Sequence, residues 1–217
     1  ARFSADVAHE LRTPVSVLIA EAQGALERER GSEEYRETIS TTLRSARRMG
    51  GLIESLLDLA QIESGADLSR STCDLAVLSA EVLESLRGMA EVQSVVLHAK
   101  LEKAVCEANA AQLAQVAVNL LINAIQHNER GGEVKLETSL EDGRAFLRVQ
   151  NTGPGIPEAD LPHVFDRFYR ADISRSRKTG GVGLGLAICK AICDAHGANL
   201  TVESAPGRTC FTLRMPL

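Results

Sequence analysis

His9 sits in the stretch Phe3-Ser4-Ala5-Asp6-Val7-Ala8-His9-Glu10-Leu11-Arg12-Thr13-Pro14, beside an acid and one helical turn before a threonine. Val7, Leu11, Pro14, Leu18, Ala22 and Ala25 recur at alternating spacings of three and four, which predicts an apolar seam on one side of a helix. His9 falls off that seam and is expected to face solvent. Imidazole changes charge near neutrality, so its uncharged form is available there as a nucleophile. Glu10 is the candidate to hold one ring nitrogen while the other attacks. Adjacent helical residues do not face each other squarely, so that contact needs a bent rotamer or a docked domain to complete it.

Further along, Asn119 and Asn123 lie one helical turn apart in Gln115-Val116-Ala117-Val118-Asn119-Leu120-Leu121-Ile122-Asn123-Ala124. Their amide oxygens are hard, neutral ligands of the kind that suits Mg²⁺, which keeps several waters and substrate phosphates in its shell. In Asn151-Thr152-Gly153-Pro154-Gly155-Ile156 the glycines let the backbone pass close to a ligand. Val164-Phe165-Asp166-Arg167-Phe168-Tyr169-Arg170 concentrates three aromatics in a chain that is only 3% aromatic. Arg167 and Arg170 there offer planar guanidinium forks to a polyphosphate. Gly180-Gly181-Val182-Gly183-Leu184-Gly185-Leu186 opens a helix whose first amides suit phosphate. It lacks the GK[ST] ending of a Walker loop and the trailing acid of a dinucleotide fingerprint.

These groups need a scaffold, and the hydrophobic patterning supplies one. A first helix is expected over about 3–29 and a second from about Ser32, read as its cap, to Glu63. On the second, Ile39, Leu43, Ala46, Gly50, Ile53, Leu57 and Ala60 form a heptad seam, widened by Leu52, Leu56, Leu59 and Ile62. Stripes this wide cannot be buried within one hairpin, so a homodimer with a four-helix bundle is expected. After Gly65 the pattern changes, placing a domain boundary at 66/67. Strands are expected near 68–73, 95–101, 104–107, 133–140, 145–151, 200–203 and 209–215, and helices near 75–90, 110–128 and 184–195. Asp142-Gly143 and Pro206-Gly207 read as turns, and His196-Gly197 as a helix stop. Residues 171–179 are polar and basic without periodicity, as a flexible lid would be, with Lys178 a weaker phosphate candidate.

The chain has 217 residues and a formal net charge of −5, which argues against a nucleic-acid binder. No window approaches the roughly 18 apolar residues of a membrane span, and no basic-then-apolar leader opens the sequence. Five cysteines, odd in number and without a CxxC pair, argue against a disulfide scaffold or zinc knuckle and fit a reducing cytoplasm. Cys189 and Cys193, at helical i,i+4 spacing, read as small buried residues. The abrupt start before His9 reads as that of a fragment.

The His9 stretch closely resembles the phosphoacceptor box of sensor histidine kinases of bacterial two-component systems. The four later motifs resemble, in order, those of the ATP-binding domain shared by histidine kinases, type II topoisomerases, heat-shock chaperones and mismatch-repair ATPases. The resemblance implies an α+β chain: an antiparallel helical hairpin over 1–66 for dimerisation and phosphoacceptance, then an α/β sandwich over 67–217 that binds ATP and Mg²⁺. It implies catalytic roles for His9, Glu10, Thr13, Asn119 and Arg170. It makes Asn123 the metal ligand, with Asn119 supporting the metal shell or the reacting phosphate. The nucleotide is expected against these two and Gln126, His127, Asn151, Gly153, Gly155, Ile156, Phe165, Arg167, Arg170, Gly181, Gly183, Leu184, Gly185 and Leu186.

Two positions depart from the family pattern. Gln126 stands where the family often has a phosphate-binding Lys, and Asn151 where most members carry an Asp that accepts from the adenine amino group. An amide oxygen still accepts that bond, at roughly half the strength of a charge-assisted one, and brings an NH₂ that needs its own acceptor. Asn occurs here in some heavy-metal-responsive sensor kinases, which the chain also resembles around 163–172. The implied activity is autophosphorylation on His9 and transfer to an aspartate of a response-regulator receiver domain, with possible phosphatase assistance from Glu10 and Thr13. The implied setting is the cytoplasmic portion of an inner-membrane sensor, touching the membrane only through upstream segments. A non-catalytic dimeric scaffold and a clamp-type ATPase are the competing readings.

Overall fold

The computed structural model describes residues 2–27, 29, 31–65, 69–170 and 182–216, with side chains from residue 7 onward. Helix α1 (Arg2–Leu26) and helix α2 (Ser32–Ser64) form the expected hairpin. Helix α1 ends three residues before the expected limit. Ser32 is its partner's first helical residue rather than the cap, which is Gly31 with no side-chain bond. Pro14 is buried, and Val7, Leu11, Leu18 and Ala25 are half-buried against α2, but Ala22 is exposed and does not belong to the seam. Pro14 lies inside α1. Having no N–H, it removes the helical bond to the Glu10 carbonyl.

On α2 the face turned inward is Thr38, Leu52, Leu59 and Ile62. The heptad seam stays outside, with Ile39 64% and Leu57 58% exposed and Leu43 and Ile53 beside them. One hairpin therefore buries only part of its apolar surface, as the width of the stripes requires. Gly65 ends α2 in the left-handed conformation (φ +69°), which costs a glycine nothing.

The rest of the chain runs β1 (Ser71–Asp74), α3 (Leu75–Gln93), β2 (Val96–Leu101), β3 (Val105–Ala108), α4 (Ala110–Gln126), β4 (Glu133–Glu141), β5 (Arg144–Asn151), a 3₁₀ turn (Leu161–His163), α5 (Gly185–Ala195), β6 (Asn199–Ala205) and β7 (Arg208–Arg214). All the predicted elements exist; α3 runs three residues further and α4 stops two residues sooner than the periodicity suggested. Strands β1 and β3 pair as a small antiparallel sheet, and the other five are ordered β2-β4-β5-β7-β6. Only β2 and β4 are parallel. They are joined through β3 and α4, since a parallel neighbour needs a long crossover.

Register places Val134, Leu136 and Thr138 of β4 opposite Asn151, Val149 and Leu147 of β5, and those in turn opposite Thr209, Phe211 and Leu213 of β7. This inner face is buried under α3, α4 and α5. Of its two hydroxyls, Thr138 donates to the Glu102 carbonyl at 2.7 Å and Thr209 bonds the Ser204 hydroxyl at 2.7 Å. The outer face is more polar: Arg148 grips Glu141 with two bonds of 2.7 and 2.8 Å and lies 4.7 Å over the Phe146 ring. That fork holds the Glu141 carboxyl down at about 2. Asp142-Gly143 and Pro206-Gly207 make the two expected hairpin turns, with Asp142 (φ +49°) and Gly143 (φ +77°) both left-handed.

Helix α4 is buried along two adjoining stripes, Leu113-Val116-Leu120 and Ala117-Leu121-Ala124. Leu120 has no exposed surface. Leu120→Ala is expected to lower stability by about 2–5 kcal/mol. A shift of the urea midpoint at unchanged slope is the readout; a change below about 1 kcal/mol would show that the site relaxes around the cavity.

Candidate functional site

Helix α4 is held at both ends. At its start Asn109 accepts from the Gln112 N–H at 3.1 Å, the usual role of a capping amide. The Asn109 N–H itself donates to His196 Nε2 at 3.0 Å, and the other ring nitrogen of His196 donates to the Ile192 carbonyl at 2.9 Å. The fully buried His196 is thus a neutral strut between α4 and the end of α5. Sequence reading took it only as part of a helix stop.

From this fixed helix Asn119 and Asn123 reach the rim of the domain, both half-buried. The Asn119 NH₂ donates to the Gly185 carbonyl at 3.3 Å, bringing the two-asparagine motif to the start of the glycine-rich helix. The first intrahelical bond of α5 runs from Ile188 N–H to the Leu184 carbonyl. The amides of Gly185, Leu186 and Ala187 therefore precede the helical ladder, at the positive end of the helix dipole. Leu184 is buried beneath them. Gly183 (φ +77°) accepts from Phe168 N–H at 2.9 Å, and a β-carbon on it would lie 2.9 Å from the Tyr169 carbonyl oxygen. The aromatic-arginine motif is thereby pressed against the glycine-rich one. Phe168 adopts φ +63°, a strained conformation for an aromatic residue that this packing enforces. Phe165 packs edge-on against Phe211, 6.2 Å between centroids, and the Tyr169 hydroxyl donates to Asp160 at 2.7 Å.

The remaining motif closes the site from below. Asn151 ends β5 on the inner face and is 5% exposed. Its NH₂ finds the acceptor it needs in the Thr152 carbonyl at 3.1 Å, leaving Oδ1 as an accepting end that no described residue fills. Thr152 and Asn128 bond at 3.0 Å, and Ile156 N–H donates to Ser204 Oγ at 2.8 Å. A β-carbon on Gly153 would stand 2.7 Å from the His127 carbonyl oxygen, so only glycine lets this loop touch the end of α4. Gln126 is half-buried and His127 exposed at that end.

Arg170, at the end of the aromatic-arginine motif, is half-buried, whereas Arg167 pairs with Glu63 of α2. A second link joins the two parts of the chain where Gln115 donates to Asp58 at 2.7 Å. A cavity of about 170 Å³ lies along this seam, lined by Asp58, Gln61, Gln112 and Gln115, away from the glycine-rich loop. Neither link had a signal in the sequence, because each joins residues far apart in the chain with no shared periodicity. Gly181 and the lid residues 171–179 lie outside the described residues.

On α1, His9 is exposed and Thr13 Oγ1 donates to its carbonyl at 3.5 Å. Glu10 is turned to Arg48 of α2 at 3.9 Å rather than to the His9 ring. The long separation makes that a weak ion pair. Among the described residues no cluster of three or more His, Cys, Asp and Glu could cage a metal. Two neutral amide oxygens beside helix-start amides fit a metal brought in on phosphates, which is how Mg²⁺ is commonly held.

A helical hairpin with an exposed histidine, joined to an α/β sandwich whose rim carries amides and glycines, defines a two-part nucleotide-dependent protein. The comparisons specify it. Residues 108–217 match the family described as histidine kinase-, DNA gyrase B-, and HSP90-like ATPase, and residues 1–65 match the His Kinase A (phospho-acceptor) domain. The chain belongs to the sensor histidine kinase family. It is 36% identical to the sensor histidine kinase YkoH of Bacillus subtilis over 98% of this chain and 47% of that protein. It is 37% identical to the sensor histidine kinase RppB of a Synechocystis species over 100% of this chain and 49% of that protein. The chain thus spans about half the length of the curated relatives it matches. In fold it is similar to histidine kinase ThkA, solved in complex with the response regulator protein TrrA, with a TM-score of 0.79 at 23% identity, covering 100% of this chain and 61% of that one.

Because Gly153 has no room for a side chain, Gly153→Ala is expected to displace the Asn151 loop from α4 at a cost of about 1–3 kcal/mol. Affinity for ADP should fall about tenfold or more, measured by calorimetric titration. Unchanged affinity would mean that the loop does not meet the nucleotide.

Proposed function

We propose that this chain is the phosphotransfer portion of a sensor histidine kinase, with residues 1–66 as the dimerising phosphoacceptor part and 67–217 as the part that binds ATP. The observation that carries the reading is the convergence of Asn119, Asn151, Gly153, Phe168 and Gly183–Gly185 on one rim, in a chain whose hairpin exposes His9. The adenine amino group donates to Asn151 Oδ1, a neutral bond in place of the family's charge-assisted one. The first-turn amides of α5 and the Arg170 guanidinium hold the phosphates. Asn123, with Asn119 behind it, would hold Mg²⁺ against them; the ion supplies neutralising charge to the triphosphate.

In the transfer, a neutral His9 ring nitrogen attacks the γ-phosphorus in line, the bond from that phosphorus to the β–γ bridging oxygen breaks, and ADP leaves. Glu10 accepts the N–H of the other ring nitrogen, which requires it to exchange Arg48 for His9. At 3.9 Å that exchange gives up little. The phosphoryl group then passes to an aspartate of a receiver domain, and Thr13 with Glu10 assists its later hydrolysis. The exposed stripe of Ile39, Leu43, Ile53 and Leu57 is the surface on which a second copy completes a four-helix bundle. No helix among the described residues is long and apolar enough to cross a membrane. In this reading the chain is the cytoplasmic portion of a membrane sensor.

The links to Glu63 and Asp58 hold the nucleotide-binding part on the last turns of α2. Asp58 is ten residues past Arg48, the neighbour of Glu10, or roughly 15 Å along the helix. Arg167 cannot serve Glu63 and a phosphate at once, so transfer is faster when the link is loosened. Glu63→Gln is expected to raise the initial rate of His9 labelling about two- to five-fold, within the range of a partly exposed ion pair. A slower rate would make the link part of the productive arrangement instead.

The direct test is incubation with γ-labelled ATP and Mg²⁺. Label that is acid-labile and base-stable, and absent from His9→Gln, is the expected result. If the wild-type chain binds ATP but hydrolyses it without ever carrying label, the clamp-ATPase reading replaces this one.

A further inference from the structure

Two of the five cysteines stand side by side in the fold. Strands β1 and β3 pair antiparallel with Cys73 directly opposite Cys106. Their sulfurs are 3.7 Å apart, and both residues are half-exposed. Opposed residues in such a pair have Cα atoms about 4.5–5.5 Å apart, within the roughly 4.4–6.8 Å that a disulfide spans. Cys189, Cys193 and Cys210 are buried elsewhere. The nucleotide chemistry uses neither Cys73 nor Cys106.

We propose that Cys73 and Cys106 form a dithiol modification site, which low-molecular-weight disulfides oxidise to a cross-strand Cys73–Cys106 disulfide. The first cysteine thiolate attacks one sulfur of the small disulfide, forming a mixed disulfide and expelling one small thiolate. The second cysteine thiolate then attacks the protein-side sulfur and expels the other. Two electrons pass from the cysteine pair to the small disulfide, and the two protons lost by the cysteines end on the two small thiols. Burial, with the Cys73 sulfur next to it, pushes the Cys106 thiol up to about 12.

The position gives the bond leverage. Strand β1 follows the exit from the hairpin, and Arg70 just before it donates to the last carbonyl of α5, that of Ala195, at 2.9 Å. Asp74 at the end of β1 caps α3 through the Ala76 N–H and also accepts from the Ala104 N–H, both at 3.0 Å. Strand β3 runs into the Asn109 cap of α4. A bridge here ties the strap leaving the hairpin to the strand that enters the asparagine-bearing helix.

The test is to incubate the folded chain with excess oxidised glutathione, block the remaining thiols and map peptides by mass spectrometry. The expected product has lost two hydrogen atoms and joins the Cys73 peptide to the Cys106 peptide within one chain, while Cys73→Ser and Cys106→Ser each stop at a single glutathione adduct. Oxidation should also raise the thermal midpoint of the wild type and not of either variant. Links between chains, links through Cys189, Cys193 or Cys210, or a wild type that stops at glutathione adducts would overturn the proposal.

Discussion

Helix α4 cannot rotate. Seven of its side chains, from Leu113 to Ile125, are buried on two adjoining stripes. Turning the helix by one residue would expose several of them and bury an asparagine amide, at about 1.5–3 kcal/mol for each large apolar side chain and more for an unpaired amide. The orientation of Asn119 and Asn123 is thus a by-product of hydrophobic packing. The His196 strut then fixes the axial position of α4 relative to α5, so the two helices deliver their polar groups to one rim with no need for a large pocket.

The contacts that join this rigid unit to the hairpin are of a different order. They are a carboxylate–amide bond and a partly exposed ion pair, along with local apolar packing of α2 on α5. Interactions of that kind individually contribute about 1 kcal/mol or less, against a core whose single side chains contribute more. The energetic hierarchy lets the nucleotide-binding part travel as a body while its own geometry stays constant. The proposed transfer draws on that freedom, because in it the attacking ring and the phosphate-holding groups belong to different elements.

Much of this was legible in the sequence because periodicity is a direct image of burial. The heptads of α2, the double stripe of α4, the alternation of β4 and β5 and the glycine turns all give their positions away locally. The parallel pairing of β2 with β4 did not, since a crossover leaves no local mark. Nor did the strut from His196 to Asn109, 87 residues apart, or the Cys73–Cys106 pair, 33 apart. The family motifs named candidate site residues, but the turning of Glu10 to Arg48 and of Arg167 to Glu63 depends on which charge stands opposite once the chain has packed. Ala22 shows the converse limit: its spacing fits the seam, yet it is exposed while Glu21 and Ala25 on either side of it are half-buried, so the covered face passes one residue to the side of it.

Pro14 gives α1 a property that neither charge nor shape describes. The Glu10 carbonyl lacks its helical N–H, so torsional stiffness drops within one turn of His9, while the buried proline ring keeps the far side of the turn seated on α2. A twist applied to the leading turns of α1 is therefore spent at this joint instead of being passed along the rod. The joint is a universal coupling set one turn past His9, where the proposed transfer needs the imidazole re-aimed while the hairpin behind it stays packed.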